Sequence, residues 1–265
     1  MMGIVNITPD SFSDGGRYVD TRLAVNHALK LVDDGADVID IGGESTRPGA
    51  ARVPMAEEQK RVIPVLQALV SNGVAVSVDT MNARTALLAA DEGAAIINDV
   101  SGGQADPDMA AVVASTGLPF VVMHWRGHSD EMNALANYRD VAADVRRELK
   151  NRIAELFVAG VQPSQIILDP GLGFAKDAAH NWQILARLGQ LSSLGYPLLI
   201  GASRKRFLAD FETDGDPAAE HPRDFATAVV SALAANAGAW GVRVHDVAST
   251  KLALDVAEAW RGGQK

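Results

Sequence analysis

Short runs of nearly unbroken apolar residues alternate along this chain with longer stretches in which apolar side chains recur every three to four positions. The first pattern suits strands covered on both faces, and the second suits amphipathic helices packed over them. Eight apolar runs predict strands at Gly3 to Ile7, Asp37 to Ile41, Val74 to Val78, Ala94 to Asn98, Pro119 to Met123, Ile166 to Leu168, Pro197 to Ile200 and Gly241 to Val244. Helices are expected over Thr21 to Asp34, Met55 to Ser71, Ala83 to Glu92, Asp108 to Ser115, Asp140 to Ala159, Ala178 to Leu188, Asp224 to Ala237 and Val247 to Trp260. Several run into a glycine, at Gly35, Gly73, Gly93, Gly117 and Gly160, a residue that accepts the left-handed conformation ending a helix.

The connections are unequal. Helix-to-strand links are short, whereas loop 1 (Thr8 to Asp20), loop 2 (Gly42 to Pro54) and the segments Trp125 to Asn137 and Phe207 to Pro222, all following strands, are long and polar. That asymmetry puts the working face at the carboxyl ends of the strands. An open doubly wound sheet would use the same elements, but eight units can close on themselves, and no linker or composition break marks a second unit. The expected fold is α/β, a (β/α)8 TIM barrel forming one domain over residues 1–265.

Composition narrows the function. The chain is 48% hydrophobic and 22% charged, enough apolar material for a substantial core. Its 24 Lys+Arg against 33 Asp+Glu give a net charge of -9 with no basic stripe, which argues against a nucleic-acid partner. With no cysteine, disulfides, thiolate metal sites and a cysteine nucleophile are excluded. The first residues carry no basic segment followed by a long apolar one, and no apolar run reaches membrane-spanning length, so a cytoplasmic protein with no membrane partner is expected.

Polar residues gather where the apolar strands should end: Asn6, Asp40, Asp79, Asn98, His124, Asp169, Lys205 and the pair Arg243 and His245. On a barrel these positions converge on one mouth; taken singly, each is equally a cap or a satisfied loop residue. Asp169 precedes Pro170 and Gly171, which turn the chain and leave the carboxylate at the strand tip. It could accept two N–H groups from a guanidine-like heterocycle edge, or N–H groups of its own turn. Arg204, Lys205 and Arg206 follow strand seven, and Arg243 and His245 lie at strand eight, where barrels often bind phosphate with help from a helix N-terminus, here near Val247. A solvated cluster is the alternative for Arg204 and Arg206, while Arg243 sits inside an apolar run. The motifs of P-loops, zinc peptidases, serine hydrolases and Rossmann folds are absent, though Mg²⁺ held mainly by substrate phosphates stays open.

The run Asn6-Ile7-Thr8-Pro9-Asp10-Ser11-Phe12-Ser13-Asp14-Gly15-Gly16 and the run Asp40-Ile41-Gly42-Gly43-Glu44-Ser45-Thr46-Arg47-Pro48-Gly49 are similar to the two leading signatures of the dihydropteroate synthases. Ser77-Val78-Asp79-Thr80, Asn98-Asp99-Val100-Ser101-Gly102, Met123-His124, Asp169-Pro170-Gly171-Leu172-Gly173-Phe174, Ser203-Arg204-Lys205 and Arg243-Val244-His245-Asp246 follow in family order. The chain resembles that pterin-binding family nearly end to end, and its actinobacterial type most. The resemblance implies a (β/α)8 transferase of folate biosynthesis, a sulfonamide target, that joins 6-hydroxymethyl-7,8-dihydropterin pyrophosphate to p-aminobenzoate.

By the same resemblance, Asp79, Asn98, Met123, Asp169 and Lys205 line the pterin, and Asn6, Arg243 and His245 hold its pyrophosphate. Mg²⁺ bridges the pyrophosphate to Asn6 and Asp14. Phe12, Thr46, Arg47, Pro48, Phe174 and Lys205 form the p-aminobenzoate side. Asp14, Lys205, Arg243 and His245 are then the catalytic set, acting without a side-chain nucleophile, and a homodimer through Ala226 to Ala239 and the last helix is implied. One departure is that the first strand begins almost at residue 1, which predicts a looser lower end of the barrel. Two rivals stand beside this reading: a pterin-binding methyltransferase on the same barrel, and a non-catalytic relative that binds pterin or phosphate.

Overall fold

The computed structural model describes residues 1–8, 17–44, 52–128, 132–212 and 221–263, with backbone alone at 17–20 and 133. Eight parallel strands form the sheet: β1 (Met2–Asn6), β2 (Val38–Gly42), β3 (Val76–Asp79), β4 (Ile96–Asp99), β5 (Phe120–Met123), β6 (Ile166–Asp169), β7 (Leu199–Ile200) and β8 (Gly241–Val244). Their order is β6-β5-β4-β3-β2-β1-β8-β7. A bridge between Leu168 and Leu198, with the Leu168 N–H donating to the Pro197 carbonyl at 2.8 Å, joins the two ends into a barrel. The expected (β/α)8 architecture is therefore the observed one.

Around it lie α1 (Arg17–Asp33), α2 (Met55–Ser71), α3 (Ala83–Asp91), α4 (Met109–Thr116), α5 (Val141–Val158), α6 (Ala178–Leu185), α7 (Leu188–Ser192), α8 (Asp224–Asn236) and α9 (Val247–Gly262). Most strands start one or two residues later than the apolar runs suggest, because the first apolar residue still belongs to the preceding helix end. The N–H groups of Ala36, Val74, Ala94, Val161 and Ala239 each reach back to a carbonyl five residues earlier, across a glycine in the left-handed conformation. Each closes a Schellman-type cap on an otherwise open helix carbonyl. Two further boundaries shift: α1 begins four residues before Thr21, and the helix expected from Ala178 to Leu188 breaks into α6 and α7. The lower end is not loose, since the Met1 carbonyl accepts from Asp37 and Val38, and Met2 pairs with both β2 and β8.

The interior follows the period of two. Met2, Ile96, Val121, Ile167 and Leu199 form an apolar cluster of their own inside the barrel, separate from the larger core between strands and helices. Two residues further along the same strands come Asn98, Met123 and Asp169, so the inward face changes from apolar to polar toward the strand ends. Register lines Asn6, Gly42, Asp79 and Asn98 in one row and pairs Met123 with Asp169.

At the opposite end, buried Gln165 donates to the carbonyls of Val113 (2.8 Å) and Leu118 (2.9 Å) and accepts from the Gln162 N–H (2.9 Å), closing α4 onto the start of β6. Gln165→Leu removes these three hydrogen bonds, though the Val113 carbonyl keeps the Gly117 N–H, so urea unfolding should show a loss of about 2–4 kcal/mol while turnover per folded molecule stays within about twofold.

Candidate active site

The mouth encloses a cavity of about 590 Å³ whose walls include Asn6, Asn98, Met123, Asp169, Phe174, Lys205, Arg243 and His245. Eight sequence-picked residues thus meet in one place. Asp79 does not line the cavity wall; its carboxylate is engaged by Arg243. Phe12, Asp14, Thr46, Arg47 and Pro48 lie outside the described residues.

Arg243 reaches inward from β8. Its Nε donates to Asp40 Oδ2 at 2.6 Å and its Nη2 to Asp79 Oδ2 at 2.8 Å. Asp40 is fully buried, and both its oxygens also receive the Asn98 amide, at 3.2 and 3.3 Å. One guanidinium therefore serves two carboxylates that burial has removed from water, leaving an excess negative charge. Burial pushes Asp79 up to about 8; Arg243 opposes the rise and Asp40 adds to it. Burial alone would lower Arg243, but the carboxylates of Asp40 and Asp79 outweigh it and hold the guanidinium above its ordinary value.

Asp40 was visible in the sequence only as one polar strand residue among others. Its joining of Arg243 to Asn98 follows from closure of the barrel, which brings β8, β2 and β4 to one axis. The signal was a charged residue between Ile39 and Ile41, at an inward position.

Asp169 accepts within its own turn. Oδ1 accepts the Gly171 N–H at 2.7 Å, as its own turn demands, while Oδ2 has no donor among the described residues. Burial raises its pKa, with Lys205 and the Gly171 N–H opposing. Lys205 donates to the Leu172 carbonyl and stands 4.9 Å from the centroid of the Phe174 ring. Burial draws the ammonium down to about 8, and Asp169 holds it up against that pull.

The anion-binding expectations divide. The His245 Nδ1 lies 2.8 Å from Ser203 Oγ, which also accepts the His245 backbone N–H at 3.1 Å. The α9 N-terminus is capped by Asp246, whose carboxylate accepts the Ser249 N–H at 3.0 Å. Arg204 is bound bidentately to Asp224, at 2.8 Å for both contacts, as a structural ion pair. Two cavity residues escaped the sequence reading: Lys176, and Asn181, whose side chain accepts the Gly173 N–H at 2.8 Å. Both follow the Gly-rich turn, where polar residues look like ordinary surface.

A carboxyl whose folded value is raised keeps its proton in the fold, so ionising Asp79 costs stability as pH rises from the ordinary carboxylate range to about 8. Carbon-13 NMR of its carboxyl should show a midpoint near that value. Asp40→Asn, by leaving Arg243 to Asp79 alone, should lower the midpoint by about a unit or more, and an unmoved midpoint would contradict the shared-guanidinium arrangement.

Residues 2–245 match the model of the pterin binding enzyme family. Dihydropteroate synthase of Mycobacterium leprae is 51% identical over 263 residues, 98% of this chain and 93% of that protein. Among solved structures, the Xanthomonas albilineans dihydropteroate synthase in complex with 7,8-dihydropteroate has a TM-score of 0.85 at 41% identity, covering 98% of this chain and 92% of that one. The Yersinia pestis enzyme in complex with a sulfonamide drug has a TM-score of 0.89 at 41% identity, covering 98% and 94%. This chain belongs to the pterin-binding enzymes and, within them, to the dihydropteroate synthases.

Proposed function

We infer that the barrel mouth condenses 6-hydroxymethyl-7,8-dihydropterin pyrophosphate with p-aminobenzoate, giving 7,8-dihydropteroate and pyrophosphate, with its residues divided as follows. The observation that carries this division is the position of Asp169: a buried carboxylate with one oxygen open, beside a lysine and an aromatic ring in a cavity. Its Oδ2 accepts from the N–H-rich edge of the pterin, and the Asn98 amide and Met123 complete that pocket. Pterin donors compete with Arg243 for Asp79.

In the reaction the pterin methylene C–O bond breaks and its electron pair leaves with the pyrophosphate. The arylamine lone pair then forms the C–N bond, and that nitrogen sheds one proton. Arg243 and His245 stabilise the leaving anion, and Lys205 and Phe174 hold the aromatic amine in line, so positioning and electrostatics do the catalysis. A methyltransferase reading is disfavoured by the full-length match to dihydropteroate synthases. Mg²⁺ suits the same end: Asn6 faces the cavity and its side chain has no hydrogen-bond partner among the described residues, leaving a hard oxygen donor open. Asn6, with Asp14 of loop 1, would hold the ion, which when bound neutralises charge on the departing pyrophosphate.

A homodimer fits the surface. On α8, Phe225, Val229 and Leu233 are exposed at spacing of four, and on α9 Leu252, Val256 and Trp260 repeat it. Two adjacent apolar stripes of this kind mark an interface rather than a solvated face.

Asp169→Asn should weaken pterin binding, measured by calorimetry, by about ten- to a hundredfold, since one oxygen becomes a donor facing donors. Arg243→Ala should cut kcat by about 10²-fold or more, with full activity removing its assignment. For the interface, Leu233→Glu with Leu252→Glu should give a monomer by light scattering at micromolar concentration; a wild-type monomer would count against the dimer.

A further inference from the structure

The turn after β6 is built against the preferences of its backbone. Gly171 and Gly173 are left-handed, at φ +66° and +77°, and so is Ala175, a residue with a side chain, at φ +48°. A Cβ on Gly171 would come within 2.3 Å of the His124 carbonyl oxygen, so the turn presses directly on the end of β5. Such a conformation persists only where surrounding groups over-determine it.

Here the group that does so is Lys176. Its Nζ, on a buried side chain, lies 3.0 Å from the Gly171 carbonyl, 3.0 Å from the Phe174 carbonyl and 2.9 Å from His124 Nδ1. His124 Nε2 in turn lies 2.9 Å from Glu148 Oε2. A carboxylate cannot donate, so the imidazole carries its proton on Nε2 and presents an unprotonated Nδ1 to the lysine. Three acceptors then face one nitrogen, and only an ammonium satisfies all three. Glu148 is itself gripped by Arg126 through Nε (2.9 Å) and Nη2 (2.6 Å), and Arg126 lies 3.9 Å from the centroid of the Tyr138 ring. The Tyr138 hydroxyl closes the circuit on the Ala175 carbonyl at 3.0 Å.

We propose that Arg126, Glu148, His124 and Lys176 form a tautomer-locked relay that makes Lys176 a positioning residue for p-aminobenzoate, holding the turn so that Phe174 presents its ring to the incoming amine. The proposal rests on the reading of Phe174 as an aminobenzoate wall. Lys176 acts through the backbone on either side of that ring, and Glu148 acts through His124 and, by way of Arg126 and Tyr138, on the Ala175 carbonyl. The relay binds α5 and the loop after β5 to the turn after β6, so its loss falls on the aminobenzoate side first.

Steady-state kinetics of four variants test it. Lys176→Met should raise KM for p-aminobenzoate about tenfold or more while KM for the pterin pyrophosphate stays within about threefold. Glu148→Leu should shift KM in the same sense, Glu148→Gln should restore most of it because its carbonyl still accepts the Nε2 proton, and Glu148→Leu should add less on top of Lys176→Met than it does alone. Additive effects, equal rises in both KM values, or no rise would overturn the relay. If Lys176→Met fails to fold, the comparison of Leu with Gln at the partly exposed Glu148 decides by the same criteria. Phe174→Ala is the control for the underlying reading. If it leaves KM for p-aminobenzoate unchanged, the wall assignment fails, and amide exchange at Gly171 and Phe174 judges the relay: faster exchange in Lys176→Met and Glu148→Leu supports it, unchanged exchange overturns it.

Discussion

Arg243 crosses the barrel mouth from β8 to carboxylates on β2 and β3, and most of the site is arranged around that contact. A guanidinium cannot shed its proton to escape burial, so it must be matched by anions. Two carboxylates meet it, one more than neutrality needs, and the excess leaves Asp79 ready to take up a proton or to accept donors from a ligand. Asp40 passes the same anchor on to Asn98, so a residue that does not line the cavity sets two residues that do.

This polar cluster is tolerable because the barrel separates its tasks along the axis. The lower interior is an apolar layer from β1, β4, β5, β6 and β7, and the lower rim is fastened by helix caps and by Gln165. Stability generated there lets the mouth hold buried charge, a left-handed alanine and an open carboxylate oxygen, all of which cost stability. The turn after β6 joins the two, since one of its N–H groups orients Asp169 while its carbonyls are held by lysines.

Much of this was legible in the amino-acid order. Alternation of apolar runs with helical periods carried the barrel, and glycines after the helices carried the joints, because backbone conformation and burial are local demands. Strand ends were displaced by a residue or two where Val74 and Ala94 proved to close helices, a choice set by hydrogen bonds that periodicity does not encode. Asp169, Asn98, Lys205 and Arg243 could be picked because each interrupts or ends an apolar run. Asp40 as a hub, and Lys176 as a clasp with its dependence on His124 and Glu148, could not, since those roles exist only when strands far apart in sequence share one axis. At the α9 N-terminus, Asp246 caps the Ser249 N–H, a local bond that its place just before Val247 already suggests.

The central claim is that this mouth carries out the condensation, with p-aminobenzoate as the acceptor. Pyrophosphate release from the dihydropterin pyrophosphate, with Mg²⁺ supplied, run with and without p-aminobenzoate and with the product identified by mass, addresses it most directly. Release should depend on p-aminobenzoate and yield 7,8-dihydropteroate. Tight pterin binding with no release, or release indifferent to p-aminobenzoate, would contradict it.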